Sequence, residues 1–254
     1  MSDEKWKTGI TDIGAGKIRV RGYNITDIME NLSYAETVYL ILKGERPGQA
    51  EAELMNAILV SSIDHGASPP SVLGTRTVMS GGNSLNAAIA GGVLVIGDSH
   101  GGAIEQSAQI MQEWAAKEGD VAALANDIVD WLKASKKRMP GFGHRLHTVD
   151  PRTGKLFEIA ERHGYHGRHI QLCRAIETAL AEKTGRTLPI NVDGAIAAVI
   201  SDMGFDWRLG KGFFIISRVP GLLAHAYEEM TRERPMRKLG PPASDYDGPD
   251  DREL

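Results

Sequence analysis

Four short polar clusters carry the residues able to do acid–base chemistry. IDHG brings Asp64 and His65 to the end of an apolar run, and GDSHGG sets His100 among glycines. MPGFGHRLHTVDPR holds His144 and Arg152, and PINVDG places Asp193 ahead of an apolar segment. Each cluster marks a boundary between a loop and a helical pattern. Histidines and a carboxylate at such junctions can serve as electrophile, base and acid. The neighbouring glycines let a ligand lie close to the backbone. Arg152, Arg218 and Arg234 offer planar forks suited to carboxylates. Arg218 stands inside the apolar run FFIISRVPGLL, where a guanidinium requires a partner. A bound anion and an internal acid fit that requirement equally. Taken singly, Asp193 reads as a helix N-cap and each histidine as a helix-end hydrogen bonder. Taken together they describe a site for a carboxylate-bearing ligand that exchanges protons.

Other chemistries are poorly supplied. The one cysteine, Cys173, lies in the helical pattern HIQLCRAIETAL and reads as a small packing residue. A disulfide framework and a cysteine metal site are excluded. HGYHGRH lacks a carboxylate at ligand spacing and HExxH is absent, so no metal is expected. His147, His163, His166, His169 and His225 read as surface or packing residues. There is no GxGxxG, Walker or GxSxG motif. The 254 residues carry a net charge of -4, which gives no drive toward nucleic acid or membrane surfaces. No run reaches the roughly 18 apolar residues of a membrane span, and MSDEKWKTG has no apolar leader core. A soluble, cytoplasmic protein is expected.

The elements that must position these residues are nearly all helical. ITDIGAGKIRVRGY predicts a short β-hairpin around a Gly-rich turn. SYAETVYLILKG has the capping box Ser33 and Glu36 and a terminal Gly44. A second helix is expected over 50–63, and NSLNAAIAGGVLVIG (83–97) reads as a buried helix of small residues. AIEQSAQIMQEW forms another. Val121, Leu124, Ile128 and Leu132 share one face. LFEIAERHG and HIQLCRAIETALAEKTG end in Gly164 and Gly185. VDGAIAAVISDMG and GFFIISRVPGLLAHAYEEM follow, with Pro220 expected to interrupt or kink the last. The tail from Pro241 is acidic, and its composition favours disorder over an ordered strap.

GFGHR, DPR, NVDG, SRVPGLLAH and ERP, in that order, resemble the citrate synthase superfamily, and the likeness runs over about residues 17–237. IDHG and GDSHGG resemble its earlier histidine motifs. The resemblance implies an all-α, citrate synthase-like fold: a large helical domain (1–100 and 200–254, with the dimer interface), a small helical domain (101–199) and a short N-terminal β-hairpin. It implies carbon–carbon bond chemistry between acetyl-CoA and oxaloacetate in the cleft between the domains. By matching motif, His100 would hydrogen-bond the thioester carbonyl, His144 would act at the oxaloacetate carbonyl, and Asp193 would exchange the acetyl proton. His65, Arg152, Arg218 and Arg234 match the carboxylate-binding set, Arg234 acting from a second subunit. Pro140, Gly141, Phe142 and Gly143 match the turn that receives the coenzyme A adenine.

Only GQAEAELMNAILVSSI separates Pro47 from Asp64, far less than in synthases, and NVDG departs from their pattern. Both features resemble citryl-CoA lyase and the C-terminal lyase module of ATP-citrate lyase. The expected reaction is therefore cleavage of citryl-CoA to acetyl-CoA and oxaloacetate. His100 favours the alternative, a citrate or 2-methylcitrate synthase. A non-catalytic subunit that binds coenzyme A is the third reading. No tightly bound cofactor is expected; coenzyme A enters as part of the substrate. No ATP-using region is read in this sequence, so a separate citryl-CoA synthetase is one expected partner, and a homodimer or higher homo-oligomer is expected.

Overall fold

A computed structural model describes residues 6–143, 150–237 and 247–253. His144 and residues 238–246 and 254, the first part of the acidic tail among them, lie outside the described residues. The N-terminal strands β1 (Thr11–Gly14), β2 (Lys17–Val20) and β3 (Tyr23–Asn24) form an antiparallel sheet in sequence order. The expected hairpin is thus joined by a third, two-residue strand. Thr11 pairs with Val20 and Gly14 with Lys17, so the turn falls at 15–16, where Gly16 takes a positive φ.

Eleven helices follow among the described residues. They are α1 (Ile25–Asn31), α2 (Tyr34–Lys43), α3 (Gln49–Ser61), α4 (Pro70–Ser80), α5 (Leu85–Leu94), α6 (Ala103–Ala115), α7 (Val121–Ala134), α8 (Pro151–Arg162), α9 (Arg168–Thr184), α10 (Val192–Asp202) and α11 (Gly210–Arg232). Local signals account for several boundaries. Ser33 and Glu36 close a reciprocal capping box on α2, and Gly44 and Gly185 end α2 and α9 in the left-handed conformation.

α10 is the centre of the core. Gly194 through Ser201 are all buried, because the helix is apolar around its whole circumference and packs on α6, α8 and α9. Its first turn lies among the site residues. Cys173 on α9 is fully buried, its Sγ 3.7 Å from the Gly194 carbonyl, and burial pushes its thiol up. It is a packing residue.

Three expectations need correction. Pro220 does not interrupt α11, which runs through it as a single helix. Pro220 is exposed, so the Ile216 carbonyl left without its usual donor lies where water can reach. α5 is a helix, but only Ala88 and Gly92 are buried, and Leu94 is 84% exposed. One side of α5 meets α4 closely through glycines, while the other has no cover among the described residues. Finally, α1 and α4 arise where no helix was expected. α4 begins with prolines at Pro69 and Pro70, which pre-set the helical φ.

α4 and α11 are joined by ion pairs. Arg76, nearly buried, pairs with Glu229 at 2.7 Å and Glu228 at 3.0 Å, and Arg237 also reaches Glu229 at 2.7 Å.

Candidate active site

Asp193 lies in the first turn of α10. It is not the N-cap: Asn191 holds that place, its side chain accepting from the backbone N–H of Asp193 at 3.0 Å and Gly194 at 3.3 Å. The aspartate side chain is therefore spared the capping role. Protein surrounds it on almost every side, leaving a narrow opening to solvent. Desolvation pushes its carboxyl up to about 6, although Arg152 and Arg218 lie close enough to oppose the rise. A carboxyl poised there can hold or release a proton near neutral pH.

The PGFG turn docks against this helix start. Gly143 N–H donates to Pro189 O at 2.7 Å, Asn191 N–H to Gly141 O at 3.0 Å, and the Asn191 amide to Gly143 O at 2.9 Å. Gly141 has φ +79°, and a Cβ there would strike the backbone of Gly194. Pro140 to Gly143 thus lie beside Asp193, although fifty residues away in the chain.

Arg152 begins α8, and Asp150 before it is the structural anchor that sequence reading missed. Asp150 is buried and accepts from Arg152 Nε at 3.0 Å, Arg152 Nη2 at 2.9 Å, Arg152 N–H at 3.0 Å and Val192 N–H at 3.1 Å. Burial raises its carboxyl, but the Arg152 bonds outweigh this and hold it below the usual carboxylate range. One carboxylate therefore ties the starts of α8 and α10 together and turns the Arg152 fork inward. The signal was present: Asp-Pro before a helical pattern is an N-cap signature. A groove of about 520 Å³ between α3 and α8 opens beside Arg152.

The end of α3 supplies the opposing wall. Arg152 Nη1 donates to Ser61 O at 3.3 Å, and Arg218 Nε donates to Ser62 O at 3.0 Å. Two arginines thus satisfy carbonyls that a helix end leaves orphaned. Arg218 is buried, its guanidinium 4.7 Å from the centre of the Phe214 ring, and among the described residues Nη1 has no hydrogen-bond partner. Its charge was expected to meet an anion or an internal acid. Among the described residues no carboxylate reaches it within ion-pairing distance, although Asp64 and Asp193 lie near enough to support its charge. A buried Nη1–H without a partner is what a bound carboxylate would satisfy.

His100 sits in a tight turn closed by reciprocal backbone bonds between Gly97 and His100, both 3.0 Å. Ser71, at the start of α4, donates its backbone N–H to His100 Nε2 at 3.4 Å, and its hydroxyl lies 2.8 Å from the same nitrogen. An Nε2 that accepts leaves the proton on Nδ1, so the neutral ring has one donor to offer. Burial, aided by Arg218, lowers the pKa of His100 and favours that neutral ring. Phe214 meets the ring edge-on at 5.5 Å.

The structure therefore brings Asp193, Arg152, Arg218 and His100 into one region, with the turn carrying exposed His65 beside it. Arg234 is exposed beyond the end of α11 and lines a separate cavity with Ser80, Asn83 and Glu229. Among the described residues no group of three His, Cys, Asp or Glu could hold a metal ion. No described helix is long and apolar enough to cross a membrane.

Known proteins resemble this chain in sequence and fold. A family model described as the C-terminal domain of citrate synthase matches residues 44–239. The structure of citryl-CoA lyase from Hydrogenobacter thermophilus is 47% identical with a TM-score of 0.92, over 99% of this chain and 98% of that one. ATP citrate lyase from Methanothrix soehngenii, solved with citrate and coenzyme A, shares the fold at 22% identity and a TM-score of 0.85, over 98% of this chain and 43% of that one. Citrate synthase 2 from Bacillus subtilis is 29% identical over 91% of this chain and 60% of its own length. The chain spans 56–60% of the length of the first curated citrate synthases it matches.

Proposed function

We propose that this chain, which belongs to the citrate synthase family, is a citryl-CoA lyase that cleaves citryl-CoA to acetyl-CoA and oxaloacetate. The observation that carries the reading is the 47% identity to a citryl-CoA lyase along nearly the whole of both chains, against 29–31% identity to the first curated citrate synthases over 56–60% of their length. The site geometry agrees with the chemistry such a cleavage needs.

In this reaction His144 takes the proton of the citryl hydroxyl as that oxygen becomes the keto oxygen of oxaloacetate. The carbon–carbon bond breaks, and its electron pair passes to the thioester, giving the acetyl-CoA enolate. His100, neutral with its proton on Nδ1, donates a hydrogen bond to the developing enolate oxygen. Asp193 in its protonated form delivers a proton to the enolate carbon, completing acetyl-CoA. The free Nη1–H of Arg218 takes a carboxylate, with Arg152, His65 and Arg234 of a second copy completing the set. Pro140 to Gly143 receive the adenine. Coenzyme A arrives as part of the substrate.

The test is turnover of citryl-CoA, with oxaloacetate release coupled to malate dehydrogenase and NADH. A parallel assay offers acetyl-CoA and oxaloacetate and measures free CoA. Oxaloacetate release in the first without CoA in the second supports the lyase. Free CoA in the second supports a second reading, citrate or 2-methylcitrate synthesis, which His100 favours. Binding of oxaloacetate with silence in both assays supports a non-catalytic role.

A further inference from the structure

We infer that His225 is a positioning residue for His65: bonded to Asp64, it fixes the turn that carries the His65 imidazole. The inference rests on the reading of His65 as a carboxylate-binding residue.

Arg218, Gly221 and His225 recur at spacings of three and four, so they form one stripe along α11. Each meets a successive residue of the turn between α3 and α4. Arg218 Nε donates to Ser62 O at 3.0 Å. Gly221 lies against Ile63 O so closely that a Cβ would collide with that oxygen. His225 Nε2 lies 3.0 Å from Asp64 Oδ1. The other Asp64 oxygen accepts from Gly66 N–H at 2.9 Å, which folds the chain back directly over His65. Gly66 has φ +78°, a conformation suited to this reversal. Residues 62, 63 and 64 and then 66 are thus anchored, and His65 is the residue between the last two anchors.

The proton placement on His225 follows from its second nitrogen. Nδ1 faces Arg76 Nη1 at 3.5 Å, and a guanidinium can only donate. In the neutral ring Nδ1 therefore accepts and Nε2–H donates to Asp64. Arg76 is itself held by Glu228 at 3.0 Å and Glu229 at 2.7 Å. Glu228 also lies 3.8 Å from Nδ1. The histidine is half-enclosed, with 14% of its side chain exposed, and its ring plane is set from both sides. The face of α11 that carries Arg218 to the site thus also shapes the turn that carries His65. Register along one helix couples two residues of the same carboxylate-binding set.

The experiment is a double-mutant cycle between His225→Leu and His65→Ala, reading kcat and KM for citryl-CoA and, separately, oxaloacetate binding by calorimetry. His225→Leu is expected to raise KM and weaken oxaloacetate binding about tenfold, with kcat within about twofold of wild type. In the His65→Ala background the same change should add nothing. His225→Gln, whose amide N–H can reach the Nε2 position, should restore most of the affinity, whereas His225→Asn should not. A wild-type KM in His225→Leu, or an undiminished effect on top of His65→Ala, overturns the inference in favour of a plain structural tether. Should His225→Leu fail to fold, the comparison of Gln with Asn in both backgrounds decides by the same criteria. If wild type does not turn over citryl-CoA, the lyase reading fails, and the cycle is still read on oxaloacetate binding.

Discussion

At the scale of single residues, Asp193 carries the sharpest consequences. A carboxyl raised to about 6 keeps its proton in a larger fraction of molecules near neutrality than an ordinary aspartate does. In the proposed cleavage Asp193 delivers that proton, which would make its protonated form the active one. The kcat/KM for cleavage should therefore fall as pH rises through about 6, approaching tenfold per unit above it. A flat profile across that range would remove Asp193 from the proton transfer. Asp193→Asn should cost about 10²–10⁴-fold in kcat. Its thermal midpoint should equal or exceed that of wild type, because the folded state disfavours the charged carboxylate that the substitution removes. The sequence offered Asp193 as a site candidate or as an N-cap, and Asn191 two residues earlier takes the capping role. His225 shows the reverse. Its surroundings in sequence suggest packing, and only the fold sets it against Asp64.

At the scale of elements, the tie between α8 and α10 is the feature to test. Asp150 accepts four hydrogen bonds, three of them from Arg152 and one from the start of α10. Replacing it with alanine should destabilise the fold by at least one charge-assisted bond, about 1.5–3 kcal/mol, measured by urea unfolding. Its pKa is held below the unfolded value of 3.8, so its contribution is present above that pH and is lost as pH falls through the folded value. Wild type should accordingly lose stability in acid more steeply than Asp150→Ala. Equal acid profiles would show that the carboxylate contributes nothing. Helix ends with self-contained caps, such as Ser33 with Glu36, were legible because donor and acceptor lie three residues apart. At the start of α8 the local Asp-Pro signal was legible, but the bond of Asp150 to Val192, forty-two residues onward, was not.

At the scale of the whole molecule, the open face of α5 is the main departure from expectation. Leu94 is 84% exposed, and on α11, which packs against α5, Tyr227 is 59% and Met230 50% exposed. Large apolar side chains left open on helices that pack together are characteristic of an interface. A homodimer through these helices is the arrangement we expect. Light scattering should then report twice the chain mass of 27.5 kDa, and Leu94→Glu should return the single-chain mass. If Arg234 acts in a second copy's site, Leu94→Glu should also raise KM for citryl-CoA. An unchanged mass in the variant would place the interface elsewhere.

The sequence by itself determined the helical class, most helix boundaries and the membership of the polar clusters. These follow from periodicity, capping and motif order, all of which act over a few residues. Tertiary structure decided what the clusters do to one another. Arg218 meets Ser62 across 156 residues, and His225 meets Asp64 across 161. The desolvation that raises Asp193 comes from elements packed around the start of α10. Likewise, small-residue composition predicted close approach for α5 but not which side would be covered. Partnership and desolvation depend on which distant surfaces meet, and no local pattern in the chain encodes that meeting.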